Sequence, residues 1–332
     1  MFRLLTLLIA IGGGLSSSLA GESSRSQDGS LAVEVVDTLS IKDGRGTKEL
    51  AVKIYYPRTG GPYPLIVFSH GFGGDKEAFG PVGKHWASHG YVVIHPSHGD
   101  GLGRTRGESQ SESEDAEKPR GRGRGGLLGG LNDPNKISAR VADLVLILDS
   151  LNELPNLVPG LKNKIDPNSI GVAGHSFGAY TAMLIGGVTA DLGQEKGKSF
   201  LDKRVKCILP ISAQGTGQQG LTDRSWDGLR LPMMTITGTR DRGVGGQGVD
   251  WKKEPYKYSP AGDKYLVVIE GANHLSFGGG LRARGDGVTE VVKRCTTSYW
   301  DAYLKDSKAA KEYLKSGRLE QELAGKCTLE QK

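Results

Sequence analysis

The stretch GVAGHSFGAY, residues 171–180, decides the fold of this chain. An apolar run ends here, and a run with helical spacing begins directly after the serine. Gly174, Ser176 and Gly178 form the pattern G-x-S-x-G. This pattern is short and arises by chance, so it is informative only where it joins a strand to a helix. That context is met, and we predict that Ser176 is a nucleophile on a sharp strand-to-helix turn.

Apolar runs on both sides of this turn predict a mostly parallel β-sheet covered by helices on both faces. Residues 64–70 (PLIVFSH) form a short continuous apolar run, which is typical of a strand buried on both faces. Two alternating runs at 31–41 and 49–57 predict an antiparallel start. Residues 76–89 and 135–154 have helical spacing. Strands that alternate with helices in this way indicate the α/β class. Further strands are predicted at 91–97, 205–213, 232–241 and 264–274.

A serine nucleophile needs a base, and the base needs an orienting acid. On this type of turn the partners follow in the order serine, acid, histidine. His274 is the only histidine after Ser176, and it follows the last predicted parallel strand. Asp241 ends the preceding strand and is the favoured acid. Asp250, deeper in the next loop, and Asp227, before the strand, are the alternatives.

Attack on a carbonyl creates an oxyanion, which backbone N–H groups must stabilise. The N–H of Phe177, directly after the nucleophile, is one predicted donor. The other is the N–H of Phe72 in the glycine-rich loop 69–74 (SHGFGG), which follows a predicted strand. His175 and Gln214 are further candidates for the pocket wall, because both lie near the predicted active edge of the sheet.

Composition excludes several classes of protein. The chain has 332 residues, of which 37% are hydrophobic and 24% charged, as in a globular protein. The formal charge of +6 is modest, and only residues 120–124 (RGRGR) form a basic cluster, so we expect no nucleic-acid partner. No His/Cys spacing suggests a metal, and we expect no cofactor. Cys207 is expected to be a buried thiol, while Cys295 and Cys327 are a possible disulfide.

The chain is predicted to be one catalytic domain, residues 31–332, behind a cleaved leader. Residues 1–20 have a positive start, a short apolar core and a small-residue cleavage site, which predicts a secretory signal peptide. The mature protein would then be secreted or periplasmic, with no stable membrane anchor. Residues 21–30 are predicted to be a linker. Residues 99–135 lack apolar periodicity and are expected to be a flexible surface insertion, with a substrate-contacting lid as the alternative.

These motifs resemble those of the α/β-hydrolase superfamily. The similar stretches are PLIVFSHGFGG, YVVIHPSHGD, ARVADLVLILDSL, GVAGHSFGAY, ITGTRD, GANH and the tail SYWDAYLKDSKAAKEYL. Within the superfamily the chain resembles dienelactone-hydrolase-like enzymes, platelet-activating factor acetylhydrolases and cutinase-like polyester hydrolases. Dienelactone hydrolases use a cysteine nucleophile, whereas this chain has a serine. Compact cutinases lack an insertion as large as 99–135.

The resemblance implies a secreted carboxylic-ester hydrolase (EC 3.1.1) that acts through an acyl-enzyme, on short to medium acyl esters. The alternatives are a lipase, a phospholipid acetylhydrolase or a polyester hydrolase. A serine peptidase or acyltransferase, or a non-catalytic binding protein on the same fold, are further alternatives. The expected partner is a small-molecule, lipid or polymer ester. The oligomeric state stays open.

Overall fold

The computed structural model describes residues 27–100, 129–278 and 287–332, and a nine-stranded β-sheet forms the centre of this part of the chain. The predicted signal peptide and most of the predicted insertion lie outside these ranges. The described end of the predicted linker contacts the rest of the fold, because the N–H of Gly29 donates to Ser88 Oγ at 2.8 Å. No helix of the described ranges is long and apolar enough to cross a membrane.

The strands, in chain order, are β1 (Val33–Lys42), β2 (Glu49–Pro57), β3 (Tyr63–Ser69), β4 (Val92–Pro96), β5 (Ile165–His175), β6 (Ala190–Leu192), β7 (Glu195–Lys198), β8 (Val205–Ile211), β9 (Met233–Gly238), β10 (Lys264–Ile269) and β11 (Cys327–Gln331). The helices are α1 (Gly80–Ser88), α2 (Pro134–Asp149), α3 (Leu154–Leu157), α4 (Phe177–Ile185), α5 (Val249–Tyr258), α6 (Val288–Tyr303), α7 (Lys308–Lys315) and α8 (Arg318–Glu322). A short 3₁₀ helix follows α3 at Pro159–Leu161.

The order of strands in the sheet is β1-β2-β4-β3-β5-β8-β9-β10-β11. The six strands from β4 to β10 in this order are parallel, and β1, β2 and β11 extend the sheet with antiparallel pairs. The predicted fold class and the predicted antiparallel start are therefore confirmed. Because the central strands are parallel, the loops at their carboxyl ends meet at one edge of the sheet.

Successive residues of the central strands enter two different cores. In β3, Val67 belongs to the core shared with α2 and α4, while Ile66 belongs to the core shared with α1 and α6. In β5, Val172 and Ala173 divide in the same way. Side chains alternate between the two faces of a strand, and helices cover both faces here. This double burial is why the central strands are continuous apolar runs in the sequence.

The sequence did not predict the short strands β6, β7 and β11 or the exact start of α1. The last strand, β11, is short and polar, and it forms only because it pairs with β10 at the edge of the sheet. The hairpin of β6 and β7 is similarly short. The predicted helix over 76–89 begins only at Gly80, with a proline in its first turn. Short edge elements depend on the partner that the tertiary structure supplies rather than on their own pattern.

Glycine is required where β5 meets α4. A Cβ built on Gly174 would lie 2.2 Å from the carbonyl oxygen of Gly178, and one on Gly178 would lie 1.9 Å from the carbonyl oxygen of Ser69. Between them, Ser176 has the rare backbone angles φ 56° and ψ −119°. The strand, the helix and the loop after β3 therefore approach each other more closely than any side chain would allow.

We expect Gly174→Ala to destabilise the fold by at least about 1–3 kcal/mol, because its methyl group would overlap backbone atoms that cannot move independently. Gly228→Ala is the matched control, since a Cβ there meets nothing within 4 Å. Its free energy of unfolding should stay within about 0.5 kcal/mol of the wild type. Urea unfolding measures both values, and equal stability of the two variants would show that the turn has room to relax.

Candidate active site

Ser176 lies at the carboxyl end of β5, on the turn that leads into α4. Its N–H donates to the carbonyl oxygen of Ile211 at the end of β8 (2.9 Å), and its own carbonyl accepts the N–H of Tyr180 (3.1 Å). The residue is thus tied to the neighbouring strand on one side and to α4 on the other. These two bonds leave the side chain at the edge of the sheet, partly exposed.

The structure brings the three residues predicted for catalysis into one chain of hydrogen bonds. His274, in the loop after β10, has Nε2 3.1 Å from Ser176 Oγ. Its Nδ1 is 3.2 Å from Asp241 Oδ1. Of the alternative acids, Asp250 is 94% exposed and pairs with Lys253, and Asp227 is exposed as well. Only Asp241 among these carboxylates contacts the histidine.

Asp241 is fully buried in the turn that follows β9. Its Oδ2 accepts the hydroxyl of Thr237 at 2.9 Å. Burial alone would raise the pKa of Asp241, but the hydrogen bond with His274 and the positive charge of Lys252 hold that pKa below its usual value. The carboxylate is therefore ionised at neutral pH and able to orient the imidazole.

Two residues behind the histidine were not predicted from the sequence. Ser212, directly after β8, places its Oγ 2.8 Å from His274 Nδ1. The buried Lys252 on α5 donates from Nζ to the carbonyl oxygen of Ser212 (3.0 Å). Burial lowers the pKa of Lys252 to about 8. Ser212 could have been found as a polar residue at the end of a parallel strand. Nothing in the helical pattern of α5 distinguishes Lys252.

Of the two residues predicted for the pocket wall, His175 contacts His274, while Gln214 is buried after β8. His175 Nε2 donates to the carbonyl oxygen of His274 at 2.9 Å, and the two rings lie 4.8 Å apart. Burial lowers the pKa of His175 to about 3, so its ring is neutral and supports the backbone of His274. Gln214 is buried beyond the end of β8, and its Oε1 has no hydrogen-bond partner among the described residues.

The two residues predicted to donate to an oxyanion lie side by side. The rings of Phe72 and Phe177 meet edge to face, with centroids 5.8 Å apart. Phe177 is the first residue of α4, where backbone N–H groups have no partner within the helix. A Cβ built on Gly71 would be 3.5 Å from Ser176 Cβ, so the loop that carries Phe72 adjoins the nucleophile. The arrangement suits the stabilisation of negative charge next to Ser176 Oγ.

The cysteines are free thiols in this structure. Burial strongly raises the pKa of Cys207, as expected for an inert core thiol. Cys295 on α6 and Cys327 at the start of β11 share a side-chain hydrogen bond, which shows that the two thiols are adjacent. Their disulfide stays a prediction. Across residues 27–100, 129–278 and 287–332, no group of three or more His, Cys, Asp or Glu side chains could hold a metal ion.

A serine on a strand-to-helix turn, above a mostly parallel sheet with helices on both faces, is the arrangement of the α/β-hydrolase fold. The family model of platelet-activating factor acetylhydrolase, isoform II, matches residues 36–120. Two curated proteins named platelet-activating factor acetylhydrolase match over 237 residues, at 27% identity in Canis lupus familiaris and 32% in Bos taurus. Each match covers 66% of this chain and 49% of the relative, so the chain spans about half the length of these relatives. The predicted resemblance to platelet-activating factor acetylhydrolases is confirmed, whereas the resemblance to dienelactone-hydrolase-like and cutinase-like enzymes stays a prediction.

Buried neutral histidines should make the fold sensitive to acid. Burial lowers the pKa values of His70 and His175 to about 3 and those of His85 and His95 to about 4. An unfolded histidine titrates near 6.5. Between about pH 6.5 and pH 4 the unfolded state therefore binds protons that the folded state does not bind. As a result, the free energy of unfolding falls as the pH falls.

His95→Gln should remove about one of these protons. The free energy of unfolding of the variant should therefore depend less steeply on pH, by about 1.4 kcal/mol per pH unit near pH 5. The measurement is urea unfolding of wild type and variant between pH 7.5 and pH 5. The two slopes should coincide above pH 7, where the ring is neutral in both states. Parallel slopes at pH 5 would mean that His95 accepts a proton in the folded protein.

Proposed function

We propose that this chain is a serine hydrolase of carboxylic esters that works through an acyl-enzyme. The observation that carries the proposal is the chain of hydrogen bonds from Asp241 through His274 to Ser176, at the edge of the sheet where the central strands end. A serine hydroxyl is a weak nucleophile near neutral pH, and such a chain activates it. The similarity to proteins named acetylhydrolases supports ester hydrolysis over other uses of the same residues.

In the first half of the reaction, Ser176 Oγ attacks the ester carbonyl while His274 Nε2 takes the hydroxyl proton. The buried carboxylate of Asp241 stabilises the imidazolium that forms and keeps the ring in position. Ser212 Oγ, 2.8 Å from the same Nδ1, assists this orientation. The N–H groups of Phe72 and Phe177 bind the oxyanion, and His274 then donates its proton to the departing alcohol.

In the second half, water replaces the alcohol. His274 removes a proton from the water, which attacks the carbonyl of the acyl-enzyme, and the same two N–H groups stabilise the second oxyanion. The carboxylic acid leaves as Ser176 Oγ regains its proton from His274. Every proton in this cycle moves between Ser176, His274, the alcohol and water, so the described residues suffice for it.

We further propose that the acyl group is short and that phospholipids with a short acyl chain are among the substrates. The support is the name of the relatives, which are acetylhydrolases of platelet-activating factor. Phe72 is partly exposed in the loop that adjoins Ser176, and a bulky ring at this position favours a small acyl group. Secretion, expected from the signal-like residues 1–20, belongs to the same proposal.

We expect Ser176→Ala to lower kcat for p-nitrophenyl acetate by on the order of 10⁴–10⁶, because the change removes the proposed nucleophile. Asp241→Asn should lower kcat by about 10⁴, since the amide fails to orient and stabilise the imidazolium. Asp250→Asn is the matched control and should stay within about twofold of the wild type, because this carboxylate is exposed and does not contact the histidine.

The rate of p-nitrophenol release, per mole of folded protein, measures all three variants. A wild type no faster than Ser176→Ala on any ester would exclude ester hydrolysis. Activity that survives in Asp241→Asn but is lost in Asp250→Asn would reassign the acid. Hydrolysis of p-nitroanilides at a rate comparable to the esters would instead favour a serine peptidase.

The length of the acyl chain should determine kcat/KM. For p-nitrophenyl esters, kcat/KM is expected to be highest for acetate to butyrate and to fall at least about tenfold by octanoate, as the longer chain meets the ring of Phe72. A phosphatidylcholine with an sn-2 acetyl group should be hydrolysed faster than its sn-2 palmitoyl analogue. A profile that rises with chain length would favour a lipase and remove the short-acyl proposal while leaving ester hydrolysis intact.

A further inference from the structure

A buried guanidinium lies beneath the loop that follows β3. Arg140 projects from α2 and is 1% exposed. Its Nη1 donates to the carbonyl oxygen of His70 at 2.6 Å, and its Nη2 donates to that of Gly71 at 3.1 Å. Nε and Nη2 also donate to the two carboxylate oxygens of Asp100, at 2.9 and 3.0 Å. One side chain thus holds two successive peptide carbonyls, and a buried carboxylate holds that side chain in turn.

The direction of the Gly71 carbonyl decides the direction of the Phe72 N–H. Both groups belong to one planar trans peptide unit, in which the C=O and the N–H point in opposite directions. A carbonyl turned towards Arg140 therefore turns the N–H of Phe72 away from Arg140. The same peptide unit adjoins the nucleophile, because a Cβ on Gly71 would be 3.5 Å from Ser176 Cβ.

A neutral histidine holds the same carbonyl from a second side. His70 Nδ1 lies 2.6 Å from the carbonyl oxygen of Gly71, and His70 Nε2 accepts the N–H of His98 at 3.0 Å. Nε2 can accept only without a proton, so the proton of this ring is on Nδ1 and is donated to Gly71. The loop cannot turn this peptide over without breaking hydrogen bonds from Arg140 and His70 together.

The remaining contacts of Arg140 anchor it to the end of β3. Ser69 Oγ accepts from Arg140 Nη1 (3.3 Å) and lies 2.8 Å from His98 Nε2, while His98 Nδ1 is 2.7 Å from Asp143 Oδ2. Ser69, His98 and Asp143 match a catalytic triad in residue type. Ser69 is fully buried, however, and its hydroxyl is occupied on both sides. This second series is therefore an anchor and not a second nucleophile.

Arg140 also contacts the other predicted oxyanion donor. Its Cζ lies 4.6 Å from the centre of the Phe177 ring, close enough for a cation–π interaction. The charge of Arg140 is balanced by Asp100, and that of Lys48 by Asp143, with which Lys48 forms an ion pair. Balanced charges allow a buried cation to remain in a place where an unpaired one would be strongly destabilising.

We propose that Arg140 is the positioning residue of the oxyanion hole, which aims the N–H of Phe72 at the substrate carbonyl oxygen. The proposal rests on the ester hydrolysis proposed above. Arg140 touches no reacting atom, so it acts on the transition state through the Gly71–Phe72 peptide. Its loss should lower kcat and leave ground-state binding almost unchanged, because the oxyanion exists only in the transition state.

The test compares Arg140→Lys and Arg140→Gln with Arg294→Lys, on p-nitrophenyl acetate. Arg294 is the matched control: it is buried on α6, paired with Glu322, and not in contact with the loop after β3. Rates are taken per active site titrated with a fluorophosphonate, so that a loss of folded protein does not count as a loss of kcat. Circular dichroism checks the fold of each variant.

Removal of one oxyanion donor typically costs about 10²–10³ in kcat, and misalignment should cost less. We therefore expect Arg140→Lys to lower kcat about 10–100-fold and Arg140→Gln to lower it further, with KM within about threefold in both. A boronic acid that forms a tetrahedral adduct with Ser176 should bind more weakly by about the same factor as the loss of kcat. The pH dependence of kcat should stay unchanged, because His274 keeps its partners. Arg294→Lys should match the wild type in all of these values.

Other outcomes would overturn the proposal. If Arg140→Lys and Arg140→Gln keep wild-type kcat per titrated site, or change KM and kcat alike, Arg140 has only a structural role while ester hydrolysis stands. If both variants lose the folded state, Asp100→Asn decides, because it keeps the guanidinium but removes its anchor; an unchanged kcat there would contradict the proposal. A wild type without esterase activity would remove the proposed function and this inference with it.

Discussion

The close approach of β5, α4 and the loop after β3 is the constraint on which the rest of the structure depends. A Cβ at Gly174 or Gly178 would overlap backbone atoms of the neighbouring segment. The contact forces Ser176 into a rare conformation and presents its side chain at the carboxyl edge of the sheet. It also places the start of α4 and the loop after β3 against each other although they are far apart in sequence, as the proposed oxyanion hole requires.

Two buried polar clusters hold the groups around this contact. Behind His274, the carboxylate of Asp241 is accompanied by the hydroxyl of Ser212 and the ammonium of Lys252. Beneath the loop after β3, Arg140 and Asp100 form the second cluster. Each cluster pairs positive with negative charge, which makes the burial of charged groups tolerable. A polar group fixed in advance can stabilise a developing charge without having to reorganise during the reaction, and this is the main advantage of a preformed site.

Sequence patterns predicted Ser176, Asp241 and His274, but they did not predict the buried polar residues around them. The residues Ser176, Asp241 and His274 follow three central strands, and the carboxyl-terminal half of each of those strands is buried and largely apolar. Arg140 and Asp143 lie among buried apolar residues on α2, a helix that the spacing of apolar residues predicted. Nothing in helical periodicity distinguishes a buried arginine from a solvated one. The polar strand β11 was missed likewise, because its stability comes from β10.

The amino-acid sequence by itself predicted the class of the fold, and it indicated Ser176, His274 and three candidate carboxylates, with Asp241 favoured, for the catalytic roles. It did so because parallel strands buried on both faces must be apolar throughout, and because a strand-to-helix turn as sharp as this one leaves a characteristic glycine spacing. Only the tertiary structure decided among the carboxylates, since Asp241 and Asp250 differ in burial and contact rather than in local pattern. It alone placed Ser212, Lys252 and Arg140 near the site. Hydrogen bonds between segments tens of residues apart depend on how helices pack across the sheet, and that packing leaves no local mark in the sequence.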